Sequence, residues 1–293
     1  MKGNALILIN AYSELASSLN QAERLKAEFS ALGVNAEIRR NDLGLYLKDG
    51  EIAGYAGGYD FCVYLDKDKY TALTLEKCGL RLFNRRAAVE ICDDKMLTHL
   101  ALAGKGVPMP DTVAGVLCYT PDAVVSKDLL DGIERKLGYP VIVKESFGSL
   151  GKGVYKADNR SELEKISEKV KTMPHLFQKF VSESAGRDIR VIVIGGRCVA
   201  AMERRSGGDF RSNLELGGIG SPRDIDGNLR DICGVTAEIL GLDYCGIDVL
   251  ESDKGYLVCE VNSNAFFGGI ERVTGINVAE RYAKYIYEYV YDK

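Results

Sequence analysis

Gly246-Ile247-Asp248-Val249-Leu250, a short gap, then Leu257-Val258-Cys259-Glu260-Val261-Asn262: the reading of these two runs decides the fold. Each run is short and apolar, and each carries oxygen-bearing side chains. On a strand, residues two apart point to one face. Glu260 and Asn262 therefore share a face, with room for Asp248 from a neighbouring strand. Two carboxylates and an amide oxygen suit a hard cation such as Mg²⁺, which completes its shell with phosphate oxygens and water. That donor set points to nucleotide chemistry. Solvent-facing polar residues on an edge strand give the same triplet, so the rest of the chain has to decide.

The chain has 293 residues, enough for a large buried core and two or three structural units. Hydrophobic residues make up 46% and charged residues 27%, the balance of a soluble globular protein. A formal net charge of −4 gives no bulk attraction to nucleic acid or anionic membrane. No apolar run reaches bilayer-spanning length. Leu6-Ile7-Leu8-Ile9 is too short for a signal-peptide core, and no cleavage pattern follows it. Eight cysteines form no C-x-x-C and sit mostly in apolar runs, which predicts free buried thiols in a reducing cytoplasm. His99 and His175 stand apart, which argues against a Cys–His or Ser–His–Asp hydrolase.

Residues 5–9 read as a buried strand. Leu15, Leu19, Ala22, Leu25, Phe29 and Leu32 then recur at helical spacing, which predicts a helix stopping at Gly33. Strands are predicted over 34–39, 60–65 and 80–83, with a short helix between the last two. This alternation predicts a parallel α/β unit over about residues 1–90. No G-x-G-x-x-G turn follows its first strand, so it is not read as a dinucleotide site. A helix is predicted over 87–104, then an extended linker at Pro108 and Pro110. Further strands are predicted over 139–144, 154–157, 176–181, 190–194 and 199–203. Ser161 with Glu164 reads as a capping box. Helices are predicted over 229–240 and through Val278, Tyr282, Ile286 and Tyr289, whose tyrosines are expected to pack or cover an interface.

Lys144 ends one predicted strand and opens the glycine-rich string SFGSLGKG at 146–153. Gly148 and Gly151 let backbone N–H groups approach phosphate oxygens with no Cβ in the way, and the lysine adds a point charge. No G-K-[ST] precedes a helix, so this is not a Walker A loop, and a mobile hairpin gives the same string. Gln178-Lys179-Phe180-Val181 suits either the wall of an adenine slot or a plain strand. Arg187, Arg190, Arg204, Arg205, Arg211, Arg223 and Arg272 follow. A charge cluster is usually a solvated face. Here, however, Arg190 opens an apolar strand and Arg211 follows an aromatic. More arginines stand here than a nucleotide needs, which predicts an acidic co-substrate.

A strand lysine, a glycine-rich flap, a hinge strand, arginines and a final Asp…Glu-x-Asn, in that order, resemble the ATP-grasp fold. More narrowly, 178–190 (QKFVSESAGRDIR), 201–213 (AMERRSGGDFRSN), 246–250, Glu260-Val261-Asn262, Gly269-Ile270-Glu271 and Thr274-Gly275-Ile276 are similar to the RimK-type alpha-L-glutamate ligases. The resemblance covers about residues 95–293, and the earlier part only in its general α/β character. It implies an α/β fold, α+β in its C-terminal part. A Rossmann-like pre-ATP-grasp domain would occupy 1–94, a small lobe with the glycine-rich lid 95–177, and a lobe with adenine, metal and acceptor sites 178–293.

The resemblance further implies that ATP is held by Lys95, Lys144, Gly148, Gly151, Gln178, Lys179, Phe180, Val181, Glu183, Asp188, Arg211 and Asn213. Lys144, Arg190 and Arg211 would be catalytic, and Asp248, Glu260 and Asn262 would ligate Mg²⁺ or Mn²⁺. The implied reaction is ATP-dependent carboxylate–amine ligation through an acyl phosphate. It would add an acidic amino acid such as glutamate to a peptide or small-molecule carboxylate, without nucleic acid or membrane partners. Homo-oligomerisation stays open. Two other classes compete: a phosphotransferase that stops at a hydroxyl, and a regulatory nucleotide-binding protein, which would have lost the metal ligands that persist here. The sequence also departs from the family. Lys179 replaces an acidic hinge residue, and Glu145 after Lys144 is expected to weaken phosphate attraction slightly. Asn264-Ala265-Phe266-Phe267 replaces a proline step bordering the acceptor pocket, which puts the substrate in question more than the reaction.

Overall fold

The computed structural model of the protein describes residues 2–149, 151–212 and 217–292. The chain starts with β1 (Gly3–Ile9), α1 (Ala16–Ala31), β2 (Val34–Arg40), a small hairpin of β3 (Tyr46–Lys48) and β4 (Glu51–Ala53), then β5 (Phe61–Leu65), α2 (Lys69–Lys77) and β6 (Arg81–Phe83). The sheet order is β2-β1-β5-β6, all parallel. Every residue of β5 is buried, as a sheet covered on both faces requires. Ala5, Ile7 and Ile9 of β1 meet Ala22, Leu25 and Phe29 of α1 on one face. Leu6 and Leu8 meet Ala72 and Leu75 of α2 on the other.

The helix predicted over 87–104 is two helices, α3 (Arg86–Asp93) and α4 (Lys95–Leu102). Asp94 between them is extended (φ −99°, ψ 111°), and its carboxylate accepts from the N–H groups of Met96 and Leu97. An aspartate that can cap a new helix competes with continuing the old one. Next come β7 (Thr112–Ala114), α5 (Lys127–Leu137), β8 (Val141–Glu145), β9 (Val154–Ala157), α6 (Arg160–Val170) and β10 (His175–Lys179). These strands form an antiparallel sheet, β7-β10-β8-β9, covered by α5 and α6. The cap of α6 lies two residues before the predicted one. Asn159 accepts from Glu162 N–H at 3.1 Å, and the Glu162 carboxylate accepts from Asp158 N–H at 2.8 Å.

After a 3₁₀ turn (Ser182–Ser184) come β11 (Arg187–Ile194), β12 (Arg197–Arg205), β13 (Ile219–Pro222), α7 (Gly227–Ile239), β14 (Tyr244–Ser252), β15 (Gly255–Asn262), α8 (Gly268–Thr274) and α9 (Val278–Tyr291). The strands make a five-stranded antiparallel sheet, β13-β12-β11-β14-β15. One face packs on α7. The other joins α8 and α9 to the first sheet's core, with Tyr282 stacked on Tyr244 at 4.7 Å. Buried Asn84, just past β6, fastens the two sheets together. It donates to the Tyr244 and Ser263 carbonyls and accepts from the N–H groups of Asp243 and Tyr244.

Candidate functional site

The three sheets enclose a cleft of about 800 Å³. The small antiparallel sheet supplies Lys144 from the end of β8 and Gln178 from β10, which are neighbouring strands. Lys144 Nζ donates to Gln178 Oε1 at 2.7 Å and to Cys259 Sγ at 3.3 Å. Gln178 Nε2 in turn donates to Thr112 Oγ1 at 3.0 Å. The chain then crosses to the next sheet through Lys179, Phe180 and Val181, which line the cleft. Lys179 N–H donates to the Asp111 carbonyl, while its side chain is exposed and lies 3.9 Å from Asp111. Lys156 stands over the Phe180 ring.

The five-stranded sheet presents a row of charges by register. Arg204 on β12 faces Asp188 on β11, Arg190 on β11 faces Asp248 on β14, and Asp248 faces Glu260 on β15. Arg204 Nε donates to Asp188 at 2.7 Å, and Arg204 also lies 2.8 Å from Asp248. Arg190 grips both oxygens of Asp248. Burial opposes ionisation of Asp248, but the two guanidiniums outweigh it and hold its carboxyl below the ordinary range. For Asp188, burial wins over Arg204 and its carboxyl rises. Consecutive residues of β14 pair with Val258 and Glu260, so Cys259 is the extra residue of a bulge. The bulge lets Cys259 and Glu260 both reach the cleft.

Asp248, Glu260 and Asn262 line one wall together. Among the described residues no three His, Cys, Asp or Glu side chains converge on one point. A cation here would therefore lean on the Asn262 amide oxygen as well as on two carboxylates. That all-oxygen set fits Mg²⁺, with Asp248 shared between the ion and Arg190.

Lys144, Gly151, Gln178, Asp188, Arg190 and Arg211 line the cleft as well. Arg211 Nη1 donates to the Gly151 carbonyl at 2.9 Å, tying the glycine-rich loop to the segment after β12. Lys95 and Gly148 sit off the lining but in contact: buried Lys95 donates to the Gly148 carbonyl at 2.9 Å. Burial lowers the Lys95 ammonium, against the attraction of Glu260. Glu183 is exposed and off the cleft wall, where its carboxylate accepts from Ser182. Asn213 lies outside the described residues. Glu145 is taken up by Tyr155, whose hydroxyl donates to it at 2.8 Å.

The expected surplus of arginines is mostly absent. Arg187 and Arg223 meet Glu251, Arg190 meets Asp248, Arg204 meets Asp188, Arg205 meets Glu203 and Arg211 meets Asp209. Their charges belong to cross-strand or short-range pairs, which a linear list of cations hides. Arg272, exposed on the cleft, is the one of that set without a carboxylate partner among the described residues.

Sequence reading missed the wall made by the first unit, where Asn10, Ser17, Gln21, Asp66 and Lys67 line the same cleft. The signal was available in the topology. β1 and β5 lead to helices on opposite faces, and ligands bind at such a switch point, outside the carboxyl ends of parallel strands.

A family model described as a RimK-like ATP-grasp domain matches residues 92–286. Human N-acetylaspartylglutamate synthase A is 39% identical over 226 residues, 76% of this chain and 56% of that protein. A probable alpha-L-glutamate ligase of Maridesulfovibrio salexigens is 36% identical over 214 residues, 72% of this chain and 68% of that protein. The chain thus spans little more than half the length of the human relative. A RimK domain ATP-grasp protein from Sphaerobacter thermophilus superposes with a TM-score of 0.71 at 20% identity, covering 96% of this chain and 98% of that one. The D-alanine–D-alanine ligase of Bacillus anthracis complexed with ATP gives 0.74 at 18% identity, covering 98% and 96%. Those two likenesses show a shared fold, and the family model spans both antiparallel sheets and the strands that carry Lys144, Asp248 and Glu260: the chain belongs to the RimK-like ATP-grasp family.

Proposed function

We propose that the protein is an ATP- and Mg²⁺-dependent carboxylate–amine ligase that joins an acidic amino acid such as glutamate to a small-molecule or peptide carboxylate. One observation carries the reading. A buried lysine at a strand end faces, across one cleft, the cross-strand set Asp248, Glu260 and Asn262, and the first unit leaves room beside them. Residues 95–177 then act as the lid-bearing lobe and 178–293 as the lobe with adenine, metal and acceptor sites, with 1–94 closing the acceptor side as a further wall. Mg²⁺, held by Asp248, Glu260 and Asn262, would neutralise charge on the ATP phosphates. Lys144 holds phosphate oxygens, Lys95 holds the glycine-rich loop at the Gly148 carbonyl and reaches phosphate when that loop closes, Gln178, Lys179, Phe180 and Val181 flank the base, and Arg211 closes the loop over them.

A substrate carboxylate oxygen attacks the terminal phosphorus as the bond to the bridging oxygen breaks and ADP leaves. The amine nitrogen then attacks the acyl carbon, loses its proton, and phosphate departs. Arg190 borders both steps and steadies developing negative charge. The acyl phosphate would hydrolyse in water, so the loop through Gly151 has to exclude it. Eight free cysteines support a reducing, cytoplasmic working place. Among the described residues no helix is long and apolar enough to cross a membrane. Mass spectrometry of products from purified protein, Mg·ATP and a panel of amino acids and carboxylates tests the reading. A new amide mass with stoichiometric ADP and phosphate is expected. A phosphorylated hydroxyl, or ADP with no amide from the whole panel, would overturn it.

A further inference from the structure

The cleft wall built by α1 and α8 carries three unmet polar features. First, α1 starts behind Leu15 with no side-chain cap and no acidic residue in its first turn. Ser18 N–H donates to the Leu15 carbonyl at 3.0 Å, but the N–H groups of Ala16 and Ser17 and the positive end of the dipole meet no side-chain cap or acidic first-turn residue. Second, Gln21, on the same helix, is 2% exposed, and its Oε1 lines up with no donor. Its Nε2 makes only long contacts, 3.5 Å to Asn264 Oδ1 and 3.4 Å to the Ala265 carbonyl. A buried acceptor left unpaired is costly unless a ligand brings a donor. Third, Arg272 faces the cleft with no carboxylate partner among the described residues, while its neighbour Glu271 is taken by Arg24 at 2.7 Å. The wall thus offers an anion receptor, a free cation and an acceptor that needs a donor. Nucleotide phosphates satisfy the first two and not the third. An amino acid satisfies all three. Leu15 and Gln21 lie outside the span matched by the family, 92–286.

We propose that this wall is the subsite of the amine-bearing amino acid, its ammonium donating to Gln21 Oε1 and its carboxylates held by the start of α1 and by Arg272. The assignment rests on the ligase reading given above. Two separate anion receptors favour a dicarboxylic amino acid over its amide.

Titration of L-glutamate, L-glutamine and L-alanine into the isotope-labelled full chain with Mg·ADP tests the subsite by NMR. Glutamate should shift the backbone amides of Ala16 and Ser17 and bind about tenfold or more tighter than glutamine. Gln21→Leu and Arg272→Ala should each weaken glutamate by about tenfold and leave Mg·ADP affinity within about twofold. If Gln21→Leu fails to fold, Gln21→Met replaces it; it removes the acceptor at nearly unchanged volume and should weaken glutamate by the same factor of about ten. Silence of those amides toward all three amino acids, or wild-type glutamate affinity in the folded variants, overturns the subsite. A parallel product assay separates the two readings. Glutamate seated here without amide formation sinks the ligase and leaves the subsite. Amide formation with unchanged KM for the amino acid in both variants sinks the subsite and leaves the ligase.

Discussion

In the proposed ligase Asp248 would have two tasks, holding the cation and pairing with arginines, and a substitution separates them from the single task of Glu260. The Asp248 carboxylate is buried and shared by Arg190 and Arg204. Removing one partner of a buried ion pair costs about 3–5 kcal/mol, because the other charge stays behind. Asp248→Asn is therefore expected to lower both turnover and stability. Glu260→Gln removes a charge without orphaning a guanidinium, so turnover should collapse while the melting temperature holds. Near wild-type ATP consumption in Glu260→Gln would remove it from the metal set. His99 gives a pH signature at the same scale. Burial, helped by nearby Lys144, pushes its imidazole from 6.5 down to about 4. Between those values the unfolded chain binds a proton that the folded chain refuses, so stability falls as pH falls through that window, by up to about 3 kcal/mol. Urea unfolding near pH 7 and near pH 4.5 should show His99→Gln losing less stability on acidification than the wild type. Equal losses would mean that His99 is protonated in the folded protein.

Among the elements, the glycine-rich loop between β8 and β9 is the one that the proposed reaction would need to close. Gly151 has φ +74°, a conformation side-chain-bearing residues resist, and its carbonyl receives Arg211. Gly151→Val should strain the loop, block close approach to phosphates and break the latch to Arg211. Turnover should fall at least about tenfold, while the melting temperature moves by only a few degrees. An unchanged rate would make the loop a surface hairpin. What was legible at this scale followed from period. The two-residue spacing of Glu260 and Asn262, and the helical spacing of Leu25 and Phe29, need only local geometry. Helix α5, capped by Ser126 with Leu130, Ile133 and Leu137 buried, is absent from the expected elements although its three-and-four spacing is equally local. The break at Asp94 was not legible, because Asp94 has to choose between continuing one helix and capping the next. The pairing of Asp188 with Arg204 depends on strand register, which sequence spacing alone does not set.

For the molecule as a whole, the first sheet and the last share one core. Phe29 of α1 packs on Phe61 of β5 with centroids 5.4 Å apart, and both belong to the apolar cluster that contains Tyr282 and Ile286 of α9. Arg24 and Asn277 add polar ties across the same seam, to Glu271 and Glu28. No window of the sequence reveals this, because its members lie more than two hundred residues apart. The consequence for the cleft is direct: α1, which carries Gln21, is set against α8, which carries Arg272, by a buried seam. Phe29→Ala should cost about 3–5 kcal/mol, the range for removing a fully buried ring. Because the seam is shared, the loss should appear as one cooperative transition at lower denaturant. Hydrogen-exchange protection of β1 and of α9 should drop together. Loss of protection confined to β1, β2 and β5, with α9 unchanged, would show the first unit opening alone. The wall formed by α1 would then be a movable part of the cleft rather than a fixed one.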